Sequence, residues 1–193
     1  MARSRLHHRP RDRSVECELK FRVAGPGDHT RVRALLRKRE ARLEGKYNEE
    51  NFRFNGPGKT TRRVTLRLRV IDGGPRGVLT VKGPATFVGG VKVREETEVE
   101  VKDAHATLDL LTELSFRVEF SYKKHRAMWT LDGVVTVTLD TLEFGSFVEL
   151  EGPLEVLPEQ ARSLGFDPAK ALKDSYSVLA RKHLAAAKKK PAA

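Results

Sequence analysis

Val91-Lys92-Val93-Arg94-Glu95-Glu96-Thr97-Glu98-Val99-Glu100-Val101 alternates with a period of two. Val91, Val93, Thr97, Val99 and Val101 fall on one side, and Lys92, Arg94, Glu96, Glu98 and Glu100 on the other. Glu95 is the one charged residue on the apolar side. Successive side chains of an extended chain point to opposite faces, so the run predicts a β-strand with an apolar face and a face of mixed charge. The same pattern occupies residues 14 to 23, where Val15, Cys17, Leu19, Phe21 and Val23 alternate with Glu16, Glu18, Lys20 and Arg22.

Working outward, strands are predicted over 47–55, 63–71, 77–82, 117–131, 134–141 and 146–151. Their separators, Asn55-Gly-Pro-Gly58, Asp72-Gly-Gly-Pro75, Gly83-Pro84, Gly89-Gly90, Asp132-Gly133 and Gly145, are residues suited to tight turns or positive φ. Asp132-Gly133 between two strand-like runs predicts a hairpin. Helical spacing appears over 29–43 (Val32, Leu35, Leu36, Leu43), over 104–114 (Leu108, Leu111, Leu114) and near 158–164. A last helix over 168–183 is entered by Asp167-Pro168.

The net charge of +11 is concentrated at the ends: residues 1 to 13 carry +4 and residues 181 to 193 carry +5, which leaves +2 for residues 14 to 180. The middle is nearly neutral because it is rich in both signs. Residues 1–13 and 184–193 read as basic disordered tails around one domain at 14–183, since charge runs with little apolar content bury too little surface to order themselves. No run of about 18 apolar residues is present, the N-terminus lacks a signal-peptide core, and Cys17 is the only cysteine. These features predict a cytoplasmic protein without membrane association. The six histidines have no zinc-like spacing and read as isolated, solvent-exposed residues.

A single strand of this kind suits an antiparallel sheet with one wet face. The set as a whole says more. Glu16, Glu18 and Lys20, then Arg67 and Arg69, Lys82, Lys124 and Arg126, Asp140, and Glu149 and Glu151 place acids or bases two residues apart on strand after strand. The apolar faces have to be covered, and helices with apolar stripes can cover them from outside. The expected fold is therefore α+β: a closed antiparallel eight-stranded β-barrel with helices packed outside and the charges lining a tunnel. Arg and Lys neutralise phosphate oxygens, and paired carboxylates hold Mg²⁺ or Mn²⁺, so such a tunnel suits a triphosphate with its metal.

Glu16-Cys-Glu-Leu-Lys20 is similar to the ExExK signature of the CYTH superfamily of triphosphate tunnel metalloenzymes. The order of later elements strengthens the likeness: Leu66-Arg-Leu-Arg69, Leu79-Thr-Val-Lys-Gly-Pro84, Lys92-Val-Arg-Glu-Glu-Thr-Glu98, Lys124-His-Arg126, Leu139-Asp140, Gly145-Ser-Phe-Val-Glu-Leu-Glu151, Leu164-Gly-Phe166 and Ser175-Tyr176. The chain most resembles the class IV adenylyl cyclase branch. The resemblance implies that Glu16, Glu18, Asp140, Glu149 and Glu151 hold one or two Mg²⁺ or Mn²⁺ ions, with Glu96 and Glu98 in the metal shell or balancing charge. It implies that Lys20, Arg67, Arg69, Lys82, Arg94, Lys124 and Arg126 grip the phosphates, with Lys20, Lys82 and Arg126 catalytic. Glu49-Glu-Asn-Phe-Arg-Phe-Asn55 departs from the family pattern by carrying Asn where acids are frequent, which weakens the expectation that this strand serves the site.

Two reactions fit such a tunnel. In a cyclase the ribose 3′-hydroxyl of ATP attacks the α-phosphate and pyrophosphate leaves; in a triphosphatase acting on thiamine triphosphate, inorganic triphosphate or a nucleoside triphosphate, water attacks the terminal phosphate. The resemblance favours the cyclase. A non-catalytic binder of polyphosphate or nucleotide is the alternative of a different class. Nucleic acid is expected to bind only weakly, through the basic tails. The sequence leaves a homodimer open.

Overall fold

The computed structural model describes residues 14–57 and 64–187. Its eight strands are β1 (Ser14–Val23), β2 (Arg42–Asn55), β3 (Thr65–Ile71), β4 (Gly77–Val88), β5 (Val91–Val101), β6 (Arg117–Leu131), β7 (Val135–Leu142) and β8 (Gly145–Glu151). They close into a barrel in the order β1-β5-β4-β3-β2-β6-β7-β8, with every pairing antiparallel. The helices are α1 (Pro26–Lys38), α2 (Ala104–Glu113), α3 (Leu157–Ser163) and α4 (Tyr176–Ala187). The expected fold class is the one observed. No described helix is long and apolar enough to cross a membrane.

The alternation explains the closure. Leu19, Phe21 and Val23 of β1 are buried on the outer face against Val32 and Leu36 of α1, Leu157 and Ala161 of α3, and outward residues of β6, β7 and β8 such as Trp129, Val137 and Val148. On the opposite side, Phe54, Leu66, Leu68 and Val70 are covered by Ala104 and Leu111 of α2. With both apolar surfaces covered from outside, the intervening charged residues face the lumen. Asp132 and Gly133 both take positive φ (51° and 73°) in the three-residue connection between Leu131 and Val135, closed by the Val134 N–H donating to the Leu131 carbonyl at 3.2 Å.

Four boundaries differ from the sequence expectation. Helix α1 stops at Lys38, because Glu40 turns to φ 54° and the chain enters β2 at Arg42. Leu43 is therefore a half-exposed strand residue, and its spacing from Leu35 and Leu36 is coincidental. Gly83-Pro84 does not end β4: the register shifts between Lys82 and Ala85, an irregularity of the kind in which a strand can hold a proline. The helix expected over 168–183 is a 3-10 turn at Pro168–Lys170, an extended link, and then α4. Residues 184–187, assigned from the sequence to a tail, belong to α4, whereas residues 1–13 and 188–193 lie outside the described residues. His29 also departs from expectation. It is buried, with Nε2 3.0 Å from the Phe147 carbonyl.

Candidate functional site

The lumen encloses a cavity of about 320 Å³. Glu16, Glu18, Lys20, Arg67, Arg69, Lys82, Arg94, Glu96, Glu98, Lys124, Arg126, Glu149 and Glu151 all line it, so every residue expected from the sequence except Asp140 is brought to one surface. Ser14, Val15, Glu98 and Glu151 are exposed at its open side, while Lys20, Glu96 and Lys124 are buried. The other end is filled by an apolar plug in which Phe147 and Leu142 pack against Tyr176 of α4 and against Tyr122, Phe144, Leu172 and Leu179.

Register dictates who meets whom. Lys20 of β1 stands opposite Glu149 of β8, and its ammonium lies 2.9 Å from that carboxylate. Lys92 reaches Glu18 at 2.7 Å across β1 and β5. Lys82 bridges Glu16 at 3.1 Å and Glu96 at 2.5 Å. Arg67 and Arg69, two apart on β3, both reach Glu98 at 3.4 Å. Arg126 forms the densest contact: Nε and Nη2 donate to the two oxygens of Asp140 at 2.7 and 2.6 Å, and Nη2 also donates to Glu149 at 2.6 Å.

Asp140 is placed differently from the expectation. It is fully buried and lies outside the cavity lining, with Oδ1 taken by Arg126 and Oδ2 by Arg126 and the Tyr176 hydroxyl at 2.8 Å. It thus holds a guanidinium in place and has no oxygen facing a ligand. Three contributors were given no site role from the sequence, although Lys92 was placed on the charged face of its strand. Glu49 is buried beside Lys124 at 3.0 Å, with Arg69 and Arg126 within 4 Å; its strand phase, shared with Asn51 and Arg53, was the available signal, masked by the two asparagines. Lys92 and Tyr122 also line the cavity.

Crowding sets the protonation pattern. Burial, the Glu16 hydrogen bond and the neighbouring Glu16 charge push Glu96 up to about 8, against the pull of Lys82. Burial opposes ionisation of Glu16 as well, but the Glu96 hydrogen bond and Lys82 bring it down to about 2, so Glu16 and Glu96 share one proton at neutral pH. Desolvation within the barrel mouth, although part of the Glu151 side chain reaches solvent at the rim, and the carboxylates of Glu16 and Glu149 raise Glu151 to about 7. Burial and Arg126 lower Lys124 to about 8, despite Asp140 and Glu49. The Nε–H groups of Arg67, Arg69 and Arg94 are buried without a hydrogen-bond partner among the described residues.

An eight-stranded antiparallel barrel with a mixed-charge lumen and an outer coat of helices is a particular architecture, and comparison with known proteins places it. The model of the CYTH domain matches residues 14–162, and the chain belongs to this family. It is 26% identical over 150 residues to the "putative adenylate cyclase" of Methanocaldococcus jannaschii, covering 78% of this chain and 83% of that one. The structure of the PH1012 protein of Pyrococcus horikoshii superposes with a TM-score of 0.69 at 25% identity, over 83% of this chain and 96% of that one. A Vibrio parahaemolyticus protein, likewise named a putative adenylate cyclase, shares the fold with a TM-score of 0.74 at 22% identity, over 87% and 98% of the two chains.

Proposed function

We propose that the protein is a divalent-metal-dependent enzyme that acts on a triphosphate inside the barrel, and that its reaction is the conversion of ATP to cyclic AMP and pyrophosphate. The observation that carries the reading is the cluster of unpartnered Nε–H donors on Arg67, Arg69 and Arg94 in the wall of a cavity also lined by Lys20, Lys82, Lys92 and Lys124. Buried donors without partners are costly, and a chain of phosphate oxygens supplies partners to several at once. The M. jannaschii relative's name and the resemblance of the sequence motifs support the cyclase reaction over hydrolysis.

A divalent cation fits the donor chemistry. The cavity wall carries Glu16, Glu18, Glu96, Glu98, Glu149 and Glu151, and desolvation and like charge disfavour full ionisation of Glu96 and, at the rim, of Glu151. Hard carboxylate oxygens crowded in this way suit Mg²⁺ or Mn²⁺, although among the described residues no three acidic or histidine side chains form a ready-made cage. Glu16, Glu18, Glu96 and Glu151 would hold the ion, which when bound supplies charge neutralisation of the phosphate oxygens. Arg67, Arg69 and Arg94 grip the phosphate chain. Lys20, Lys82 and Arg126 stabilise charge that grows as the 3′-oxygen bonds to the α-phosphorus and the bond to the bridging oxygen breaks, while a tunnel carboxylate takes the hydroxyl proton.

The test is direct: purified protein is incubated with ATP, thiamine triphosphate and inorganic triphosphate, each with Mg²⁺ or Mn²⁺, and the products are resolved by chromatography. Cyclic AMP and pyrophosphate from ATP are expected. Orthophosphate would replace the cyclase reaction by hydrolysis in the same tunnel, and no product from any substrate would leave a binding protein. Arg67→Ala and Arg69→Ala are each expected to weaken inorganic triphosphate binding at least tenfold more than orthophosphate binding in calorimetry. Equal losses for the two ligands would mean that these arginines do not read the phosphate chain.

A further inference from the structure

The family match ends at residue 162, yet the cavity is completed by residues beyond it. After α3 the chain runs back along β1, where the Leu172 N–H donates to the Lys20 carbonyl at 2.7 Å. The Lys20 ammonium lies 3.4 Å from the Asp174 carbonyl. This delivers Tyr176, the first residue of α4, into the closed end of the tunnel, where it is 7% exposed. Its hydroxyl donates to Asp140 at 2.8 Å, the same carboxylate that holds Arg126 through two bonds. Its ring lies 4.3 Å from the Lys20 ammonium and 5.3 Å from that of Lys124, and packs edge-on against Phe147 at 5.2 Å.

We propose that Tyr176 is a positioning residue for the deep cation cluster, fixing the Arg126 guanidinium through Asp140, so that the substrate site is complete only when α4 is docked. The geometry is specific. Asp140 is buried, and among the described residues Oδ2 meets Arg126, Tyr176, a 3.5 Å contact from Thr138 and the Lys124 ammonium at 3.7 Å, so that Tyr176 supplies its one short neutral donor. Without the hydroxyl, one lone pair of a buried carboxylate loses its neutral donor, and the carboxylate and guanidinium can rotate together. Arg126 also contacts Glu149, the partner of Lys20, so a rotation there reaches both deep cations.

The inference rests on the triphosphate reading for its consequence in turnover, but its structural half can be tested without substrate. Tyr176→Phe keeps the ring, the plug and the contacts with Lys20 and Lys124 and removes only the hydroxyl; Leu179→Ala loosens the packing of α4 and leaves the hydroxyl. In the full-length, ligand-free protein, the Arg126 Nε–Hε resonance in ¹⁵N-correlated spectra, assigned by loss in Arg126→Lys, is expected to shift or broaden in Tyr176→Phe. Turnover of the active triphosphate is expected to fall on the order of tenfold in kcat with KM within about twofold, since a hydrogen bond to a charged group is lost while the binding cations remain. Leu179→Ala is expected to lower Tm more than Tyr176→Phe does and to affect kcat less. An unchanged Arg126 resonance in Tyr176→Phe overturns the proposal, as does wild-type kcat in an enzyme shown to turn over a triphosphate. If the wild type acts on no triphosphate, the functional reading fails and the resonance alone decides the positioning role.

Discussion

Replacing Arg126 with methionine is expected to lower Tm by roughly 10 °C and to abolish turnover. Among the described residues Arg126 is the sole guanidinium on Asp140, which is fully buried and whose one other cation is the Lys124 ammonium at 3.7 Å, and Arg126 also neutralises Glu149 and lies 3.9 Å from Glu49. Removing one partner of a buried ion pair leaves an uncompensated charge and costs about 3–5 kcal/mol. For a domain of this size each kcal/mol shifts Tm by about 2–4 °C. Arg126→Lys is expected to recover little, because a single ammonium cannot make the parallel bonds to both Asp140 oxygens. Arg126→Met combined with Asp140→Asn is expected to recover part of the stability and none of the activity, since the stranded charge is gone but the phosphate-facing cation is not restored. Calorimetric melts of the four proteins check this; a Tm for Arg126→Met within about 2 °C of wild type would show that the cluster does not bear on stability.

The second large effect is a dependence of stability on pH that ligand reverses. Glu96 and Glu151 have folded-state values of about 8 and 7, above the 4.5 of a free glutamate. Between these limits the folded state binds more protons than the unfolded state, so stability falls as pH rises from about 5 to about 8. Glu16 and Glu49, at about 2, act in the opposite sense: the stability they contribute is present above 4.5 and lost as pH falls towards 2. Lys124, lowered to about 8 from 10.5, makes stability rise again with pH above 8. The ligand-free protein is therefore expected to melt highest near pH 5 and to pass through a minimum near pH 8. Triphosphate with Mg²⁺ or Mn²⁺ fills this minimum, since the ion replaces the protons on crowded carboxylates. Occupancy at a hundred times Kd contributes about 2.7 kcal/mol, several degrees in Tm, and the gain is expected to exceed that from either component alone. If saturating triphosphate and metal leave Tm unchanged at pH 8, while heparin raises it through the terminal basic segments, the tunnel reading gives way to that of a surface polyanion binder.

Which residues face the lumen was written in the period-two alternation of residues 14–23, 66–69, 91–101 and 146–151, because strand phase alone sends every second side chain to one face. Alternation does not say which face is inside. Here that followed from the apolar stripes of the helices, which can be buried only against the apolar faces of the strands. Thirteen of the fourteen residues singled out from the sequence line the cavity for this reason, and Asp140 does not. It shares their strand phase, but Arg126 and Tyr176 close over it.

Other features had no signature local enough to read. The phase of Glu49 was visible, but its partners Lys124, Arg69 and Arg126 are supplied by β6 and β3. The 3-10 turn and extended link before α4 replace a continuous helix because the Leu172 N–H bonds to the carbonyl of Lys20 in β1. The shared proton of Glu16 and Glu96 depends on a register that brings β1 and β4 to opposite edges of β5. Sequence by itself determined the alternation, the turn positions and the supply of acids and bases, all of which act over a few residues. Tertiary structure alone decided which acid meets which base, because ionic interaction energy depends on distance and burial, and barrel closure sets both between residues far apart in the chain.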